Sequence, residues 1–255
     1  MNPLMALRNM VVFRRMEMTH ANLNNSAAVA AFPELRVFFN RIKKSGNSTV
    51  TAFLAELAAE ETGQRFGTVR DAKKAALSPV RCSWREAREM RDYTRFTVVR
   101  NPYDRVLSAF LNKVALGEEG SDSRKRRFRV VPGWGEATPD GFARFVAFLD
   151  ERGLHHDRHW WPQRELLVMP PERFHLIGRL ETLPEDMARL LTMIGRDPER
   201  ARSLGQPHPL EASQPLKITG ATAKRAAFYT PQLAQTVGRL YAADFETFGY
   251  PEDWA

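Results

Sequence analysis

Two segments of the chain share one local order, in which a short apolar run leads through a polar turn into a helix. The first run is Arg36–Ile42 (RVFFNRI), and the turn KKSGNST follows it. The helix after this turn has apolar residues at helical spacing until Gly63, namely Val50, Phe53, Leu54 and Leu57. The second run is Phe96–Val99, and Asn101 and Pro102 after it predict a helix cap and a first-turn proline. Strands that alternate with helices favour a largely parallel sheet with its ligand site at the carboxyl ends of the strands.

Further patterns extend this α/β prediction along the chain. A third strand is predicted at Phe174–Ile177, and helical patterns cover Asp140–Glu151, Pro184–Ile194 and Pro231–Phe245. We expect a three-layer fold in which helices flank the central sheet. Residues 1–32 have weak periodicity and are interpreted as an N-terminal arm or helix, and residues 33–255 as a single domain.

The turn between the first predicted strand and its helix has the composition of an oxyanion site. It would expose backbone N–H groups at a helix N-terminus, Gly46 would let the chain approach a ligand, and Lys44 would add a positive charge. It is not a Walker A loop, because GxxxxGK[ST] is absent and the lysine precedes the glycine. A solvated basic turn is the alternative interpretation.

A second basic site follows the second predicted strand. Arg100 at a strand's carboxyl end could bind a phosphate through two hydrogen bonds, and Ser108 on the same helical side could donate to that group. Arg105 lies on this side too, with an ion pair and a ligand contact as open alternatives. Arg100 could instead be structural and pair with a carboxylate such as Asp104.

Charge and cysteine content narrow the classes of partner and cofactor. The formal net charge of +8 indicates anionic partners without choosing among nucleotides, acidic sugars, nucleic acid and membranes. Cys82 is the single cysteine, which excludes an internal disulfide and a multi-cysteine metal site. Arg8, Arg14 and Arg15 interrupt the N-terminal apolar residues, so we expect no signal peptide or spanning segment, and a cytoplasmic protein.

Both basic sites match motifs of one family. The chain resembles the carbohydrate sulfotransferases that use 3′-phosphoadenosine-5′-phosphosulfate (PAPS), especially the Golgi chondroitin- and heparan-type enzymes and their bacterial relatives. The family's I-P-K-x-[GA]-x-[TS]-S motif corresponds to Ile42–Thr49, with Lys43 in place of proline. Its R-x-P-[YF]-x-R-x-x-S-A-[FY] motif is complete at Arg100–Phe110.

Three more segments continue the resemblance, which covers residues 36–250. The segments His159–Gln163, Ile177–Leu183 and Tyr241–Tyr250 match the family motifs HWxPQ, IGxxETL and YxxDFxxFGY. The cysteine framework of the Golgi enzymes is missing from this chain.

The resemblance implies a P-loop-like fold and transfer of a sulfuryl group from PAPS to a hydroxyl, which leaves adenosine 3′,5′-bisphosphate. It implies that Lys44 stabilises charge on the bridging oxygen and that Arg100 and Ser108 contact the 3′-phosphate. The residues implied to hold the 5′-phosphosulfate with Lys44 are Ser45, Gly46, Asn47, Ser48 and Thr49. The implied acceptor is a carbohydrate or glycoconjugate.

The base that takes the acceptor's proton has two candidates. His159 is the first, because imidazole titrates near neutral pH, and Glu181 is the second. His159 and Trp160 could instead only pack around the acceptor. No carboxylate or cysteine pattern completes a zinc site with His155, His156 and His159, so no metal is expected.

Two further groups have open interpretations. The basic run of Arg124, Lys125, Arg126, Arg127 and Arg129 could contact the cofactor or guide an acidic acceptor, or be a solvated loop. Trp134, Trp160 and Trp161 could stack on sugar rings or pack in a core.

Two rival functions use the same basic features. A P-loop-type nucleotide kinase would need magnesium ligands, but the second strand is followed by Arg100 rather than a Walker B aspartate. A non-catalytic binder of polyanions would use net charge alone. No nucleic-acid motif is present in the sequence, so nucleic acid is not an expected partner.

Overall fold

The structure is a computed structural model that describes residues 11–18, 27–63, 66–79, 81–117, 127–205 and 219–254 of the 255-residue chain. The chain divides into two compact units. The first comprises Met1–Val99 and Leu166–Gln214, and the second comprises Arg100–Glu165 and Pro215–Ala255. The single domain over residues 33–255 stays a prediction.

The first unit contains a four-stranded sheet in the order β1 (Val29–Phe32), β2 (Val37–Asn40), β3 (Thr94–Val99) and β4 (Leu176–Arg179). Strands β2, β3 and β4 are parallel, and β1 is antiparallel to β2. The three predicted strands are therefore present, and the largely parallel α/β fold is confirmed. Strand β1 was not predicted, because its sequence VAAF is short and rich in alanine, which has low strand propensity.

The α-helices of the described residues are α1 (Asn47–Thr62), α2 (Val69–Ala75), α3 (Trp84–Glu89), α4 (Pro102–Ala109), α5 (Pro139–Phe148), α6 (Gln163–Leu166), α7 (Leu183–Met193), α8 (Ala221–Phe228), α9 (Pro231–Leu240) and α10 (Ala242–Phe248). Single π-turns at Phe110–Val114 and Leu149–Gly153 extend α4 and α5. Short 3-10 helices lie at Pro33–Leu35, Met90–Asp92, Pro171–Arg173, Leu180–Thr182 and Pro198–Gly205. Residues 11–15 are also helical.

Helices α1 and α7 cover one face of the sheet in the first unit. Val37, Phe39, Phe96 and Val98 point to this face at the two-residue period of strands, and the Phe39 and Phe96 rings stack at 4.7 Å. The helical residues that complete this core are Val50, Phe53, Leu54, Leu57, Leu183, Met187, Leu190 and Leu191. Burial of these side chains fixes α1 against the sheet, and thereby fixes the loop that leads into α1.

A buried asparagine holds the end of β2 where that loop begins. The Asn40 side chain accepts from Val168 N at 2.9 Å and donates to Ala28 O at 3.1 Å. Thr97 of the neighbouring strand donates to the Asn40 carbonyl at 2.9 Å. Because Asn40 is fully buried, each of these bonds satisfies a group that water cannot reach.

The second unit is helical and has an aromatic core. Phe110 of the π-turn after α4 contacts Phe142 and Phe145 of α5 and Phe228 of α8, with ring centroids 5.4 to 6.5 Å apart. Asn101 caps α4 by accepting from Tyr103 N at 3.0 Å, as the sequence predicted. The predicted single helix Pro231–Phe245 is wrong, because the chain leaves helical geometry at Tyr241 and forms α9 and α10 instead.

None of the helices in the described part of the chain combines the length and the apolar character that a membrane crossing requires. The cytoplasmic location stays a prediction.

Candidate active site

The loop between β2 and α1 turns through two left-handed residues. Lys44 and Gly46 have φ angles of 69° and 68°, and Ser45 between them is fully buried. A lysine pays a conformational cost for this geometry that glycine does not. Left-handed residues in alternation with other conformations are the backbone pattern found in anion-binding concavities.

Gly46 also meets a steric requirement. A β-carbon at this position would lie 2.9 Å from Leu180 Cδ1, which is closer than a normal van der Waals contact. Leu180 follows β4 within the IGRLETL segment, and Asp186 anchors that segment by accepting from Arg179 N at 2.8 Å. The first and fourth family motifs thus meet at Gly46, where the left-handed backbone favours glycine and the Leu180 side chain would have to move for a larger residue.

Two cations support the start of α1, and neither was predicted from the sequence. Arg41 donates from Nε to Asn47 Oδ1 at 2.9 Å, and Lys73 of α2 donates to Ser48 Oγ at 2.7 Å. Burial, and then the nearby charge of Arg81, lower the pKa of Arg41 to about 10. Arg41 was visible as a charge at the end of an apolar run, whereas Lys73 lies 25 residues away from Ser48 in sequence.

The loop that carries Arg100 is fixed by a side-chain amide. Gln163 accepts from Arg100 N at 2.9 Å and donates to the Arg100 carbonyl at 2.8 Å. Asp244 in turn accepts from the backbone N–H groups of Gln163 and Arg164 at 2.7 and 2.8 Å. Gln163 and Asp244 are both fully buried. The HWxPQ and YxxDFxxFGY segments therefore have a physical role, which is to hold the backbone at Arg100.

The start of α8 completes the surroundings of Arg100 and Ser108. Arg100 donates to Thr222 Oγ1 at 3.3 Å, and Thr222 donates to Asp104 at 2.8 Å. The Ser108 hydroxyl is hydrogen-bonded to Thr219 Oγ1 at 3.0 Å and is 2% exposed. A ligand contact by Ser108 therefore requires this hydroxyl pair to rearrange. Thr219 and Thr222 were missed, although threonines around Gly220 before an alanine-rich helix are a helix-start signal.

Arg105 lies inside the second unit rather than on an open polar stripe of α4. It is fully buried and donates to the Trp161 carbonyl at 2.7 Å. Burial lowers the pKa of its guanidinium, and the Asp244 carboxylate acts in the opposite direction. These contacts favour the structural interpretation of Arg105 over the ligand contact.

His159 forms a pair with a buried carboxylate. Its Nδ1 lies in hydrogen-bonding contact with Asp157 Oδ1, which also accepts from His159 N at 2.9 Å. Arg127 binds the other Asp157 oxygen at 2.6 Å. Burial alone would raise the pKa of Asp157, but the hydrogen bonds and charge of His159, with Arg127, lower it to about 2.

This pair orients the imidazole. A carboxylate that accepts from Nδ1–H makes Nε2 the unprotonated nitrogen of the neutral ring, and the His159 side chain is 14% exposed. The arrangement can therefore accept a proton at Nε2. Asp157 was missed by the sequence analysis, although it lies two residues before His159.

The remaining predicted residues have different surroundings. Glu181 is exposed at the surface. Trp160 is fully buried and donates to the Gly153 carbonyl at 2.9 Å, so it belongs to the core. Trp161 is half-buried, with the Arg158 guanidinium 5.2 Å from its ring. Trp134 is also half-buried.

The basic run falls only in part within the described residues. Arg124, Lys125 and Arg126 lie outside them, Arg127 binds Asp157, and Arg129 is exposed. Cys82 is buried, and burial raises the pKa of its thiol to about 12, so it is not a thiolate nucleophile at neutral pH. In the ranges that the structure describes, no group of three or more His, Cys, Asp and Glu side chains could hold a metal ion.

Similarity to known proteins agrees with these motifs. The model of the sulfotransferase family matches residues 29–251. Carbohydrate sulfotransferase 12 of Mus musculus is 30% identical over 186 residues, which cover 64% of this chain and 42% of the relative. Carbohydrate sulfotransferase 12 of Xenopus laevis is 26% identical over 183 residues, which cover 64% and 41%.

Carbohydrate sulfotransferase 14 of Homo sapiens is 29% identical over 171 residues, which cover 64% of this chain and 43% of the relative. The match thus spans well under half the length of these curated relatives. No solved structure matches the chain. Because the family model covers most of the sequence, the chain belongs to the sulfotransferase family.

Proposed function

We propose that this protein transfers a sulfuryl group from PAPS to a hydroxyl of a carbohydrate or glycoconjugate. The observation that carries the proposal is the family match over residues 29–251, which includes both basic loops and the His159 segment. The named relatives are carbohydrate sulfotransferases, which supports a carbohydrate acceptor. Adenosine 3′,5′-bisphosphate is the second product.

Lys44 is proposed to act at the leaving group. The acceptor oxygen bonds to sulfur as the bond from sulfur to the 5′-phosphate oxygen breaks, and negative charge grows on that bridging oxygen. An ammonium group and fixed backbone N–H donors stabilise such charge without reorganisation. The left-handed turn at Lys44 and Gly46 supports this role, because it orients N–H groups at the start of α1. Ser45, Asn47, Ser48 and Thr49 complete the proposed 5′-phosphosulfate site.

Arg100 and Ser108 are proposed to hold the 3′-phosphate, with Thr219 and Thr222 as additional donors. The hydrogen bonds of Arg100 with Thr222 and of Ser108 with Thr219 support this role, because they collect hydroxyl groups around one guanidinium. A dianionic phosphate is a stronger acceptor for these donors than another hydroxyl.

His159 is proposed to accept the proton of the acceptor hydroxyl at Nε2. Its pairing with Asp157 supports this role, since the carboxylate stabilises the imidazolium that forms. The half-buried Trp161 ring is a candidate surface for a sugar ring. An acidic acceptor would also be attracted by the net charge of +8.

Calorimetry with adenosine 3′,5′-bisphosphate and transfer of labelled sulfate from PAPS to fractionated host glycoconjugates test the proposal. We expect binding with 1:1 stoichiometry and label in a carbohydrate fraction. Lys44→Ala should abolish transfer and largely spare bisphosphate binding, because the ammonium group acts mainly in the transition state.

Lys43→Ala is the matched control, because it removes the same charge one residue earlier. It should retain most of the transfer rate. Absence of bisphosphate binding would overturn the proposed function, and equal loss of transfer in both variants would overturn the role of Lys44.

A further inference from the structure

An arginine-rich cavity lies in the first unit, at the end of the sheet opposite the β2–α1 loop. It has a volume of about 360 Å³ and is lined by Arg15, Met16, Arg91, Asp92, Arg95 and Arg173. Arg95 is the second residue of β3, and Arg173 comes three residues before β4, so the cavity adjoins the amino ends of these parallel strands. A strand of six residues is roughly 20 Å long. The cavity is therefore separate from the β2–α1 loop of the same unit.

The lining carries an excess of positive charge. It contains four guanidinium groups and one carboxylate, that of Asp92. Glu17 forms an ion pair with Arg173. Within the described ranges, no carboxylate lies at ion-pair distance from Arg15 or Arg91. Positive charge at this end of the sheet is thus only partly compensated by the protein.

Neutral groups hold two of these guanidinium groups in place. Arg95 donates from Nε to the Arg173 carbonyl at 2.9 Å and from a terminal nitrogen to the Arg91 carbonyl at 2.8 Å. Arg91 donates from Nε to the Arg88 carbonyl at 3.2 Å. Backbone carbonyls orient the side chains but leave their net charge uncompensated. Arg91 and Arg95 are therefore positioned in advance, which lowers the cost of binding an anion.

His175 adds to this fixed geometry rather than to the charge. Its Nδ1 accepts from Arg95 N at 2.8 Å, and its Nε2 lies 3.0 Å from a terminal nitrogen of Arg95. Burial and then the Arg95 charge lower the pKa of His175, which keeps the ring neutral at physiological pH. Burial also lowers the pKa of Arg95. An anion in the cavity would offset this destabilisation of the charged guanidinium.

We propose that this cavity binds a small, multiply charged oxyanion of the phosphate or sulfate type. Planar guanidinium groups match the oxygens of such an ion through paired hydrogen bonds, which ammonium groups do not provide. The clustering of several arginines around one cavity favours a multiply charged ion over a single carboxylate. The volume accommodates an ion the size of pyrophosphate.

The test is calorimetric titration of inorganic pyrophosphate, and in a second arm inorganic sulfate, into the full chain saturated with adenosine 3′,5′-bisphosphate. Saturation removes the donor site from the measurement. We expect 1:1 pyrophosphate binding that the double variant Arg15→Gln/Arg91→Gln weakens by about tenfold or more, since it removes charge-assisted hydrogen bonds. If sulfate binds more weakly than pyrophosphate, the cavity selects its ligand by the charge of the ion.

The double variant Arg70→Gln/Arg152→Gln is the matched control. It removes the same charge from exposed positions outside the cavity, and it should change the affinity by less than about threefold. Equal weakening in both double variants, or no pyrophosphate binding to the loaded wild-type chain, would overturn the proposal. If the bisphosphate itself did not bind, the donor-site proposal would fail, and the comparison of the two arginine pairs would still decide this one.

Discussion

Gly46 combines a left-handed backbone with a close neighbour, and Gly63 allows the two effects to be separated. Both glycines have φ near 70°, but nothing lies within 4 Å of a β-carbon at Gly63, whereas Leu180 Cδ1 lies 2.9 Å from one at Gly46. Alanine at either position costs about 1 kcal/mol for the left-handed backbone. We expect Gly46→Ala to lower the free energy of unfolding more than Gly63→Ala, because Leu180 must also move. Urea unfolding measures both.

The same two variants test whether the turn matters for binding. Gly46→Ala should weaken the binding of adenosine 3′,5′-bisphosphate, because displacement of Leu180 and the loop disturbs the N–H donors at the start of α1. Gly63→Ala, at the far end of that helix, should leave the affinity unchanged. Equal stability and equal affinity in the two variants would show that the contact with Leu180 affects neither the free energy of unfolding nor binding.

Asp157 should make the stability of the chain depend on pH in the acid range. Its pKa is about 2 in the folded chain and 3.8 ordinarily, so the unfolded chain takes up the proton first as pH falls. The stabilisation is complete above about pH 4 and is lost as pH falls towards 2. With a side chain only 6% exposed, it amounts to roughly 2 kcal/mol.

Asp157→Asn should therefore lose less unfolding free energy between pH 5 and pH 2.5 than the wild-type chain does. Urea unfolding across this range measures the difference. The variant should also slow sulfuryl transfer at neutral pH, because the amide does not stabilise a protonated His159. Parallel stability curves for the two proteins would contradict the assigned pKa.

The elements that the sequence predicted best are those whose burial is periodic. Strand β3 ends in four consecutive buried residues, and α1 and α7 repeat apolar residues at helical spacing, so local pattern alone defined them. Strand β1 lacked such a pattern because its place is set by pairing with β2. The break at Tyr241 was hidden for a similar reason, since the buried Tyr241 hydroxyl bonds to the Trp160 carbonyl far away in sequence.

The site shows the same division between local and distant contacts. Lys44, Gly46 and Arg100 were recognisable because each belongs to a contiguous motif next to a strand. Gln163 was quoted within a motif, but its role was not visible, because it bonds to a backbone 63 residues away. Contacts at such separation leave no spacing signal in one sequence.

Gln163 is expected to be a positioning residue for Arg100. Gln163→Ala removes both hydrogen bonds to the Arg100 backbone and should lower the unfolding free energy by about 1–3 kcal/mol. It should also reduce the preference for adenosine 3′,5′-bisphosphate over adenosine 5′-phosphate, because a displaced Arg100 loses its 3′-phosphate contact. Calorimetry with both nucleotides measures the preference.

Gln235→Ala, an exposed glutamine on α9, is the control for this change. It should alter neither stability nor nucleotide preference. If Gln163→Ala is less stable but keeps the full preference for the bisphosphate, the role of Gln163 is only structural.

At the scale of the whole chain, net charge and composition leave the chemistry undecided. A charge of +8 suits a polyanion binder as well as an enzyme for anionic substrates. The distinction comes from sequence order, since the second parallel strand is followed by Arg100 where a magnesium-dependent phosphoryl transferase would have an aspartate. In the proposed reaction, Lys44 and the N–H donors of its loop would supply the charge stabilisation that such an enzyme obtains from its metal ion.

Sulfuryl transfer is therefore expected to be independent of divalent metal ions. The rate of label transfer from PAPS in excess EDTA should match the rate in the same concentration of EDTA preloaded with magnesium, which controls for the anionic charge of the chelator. Agreement within about twofold would support charge stabilisation by Lys44 and the loop. Loss of transfer in free EDTA, with recovery when magnesium is restored, would favour the phosphoryl-transferase type of mechanism. The charge on the bridging oxygen would then be stabilised by a metal ion.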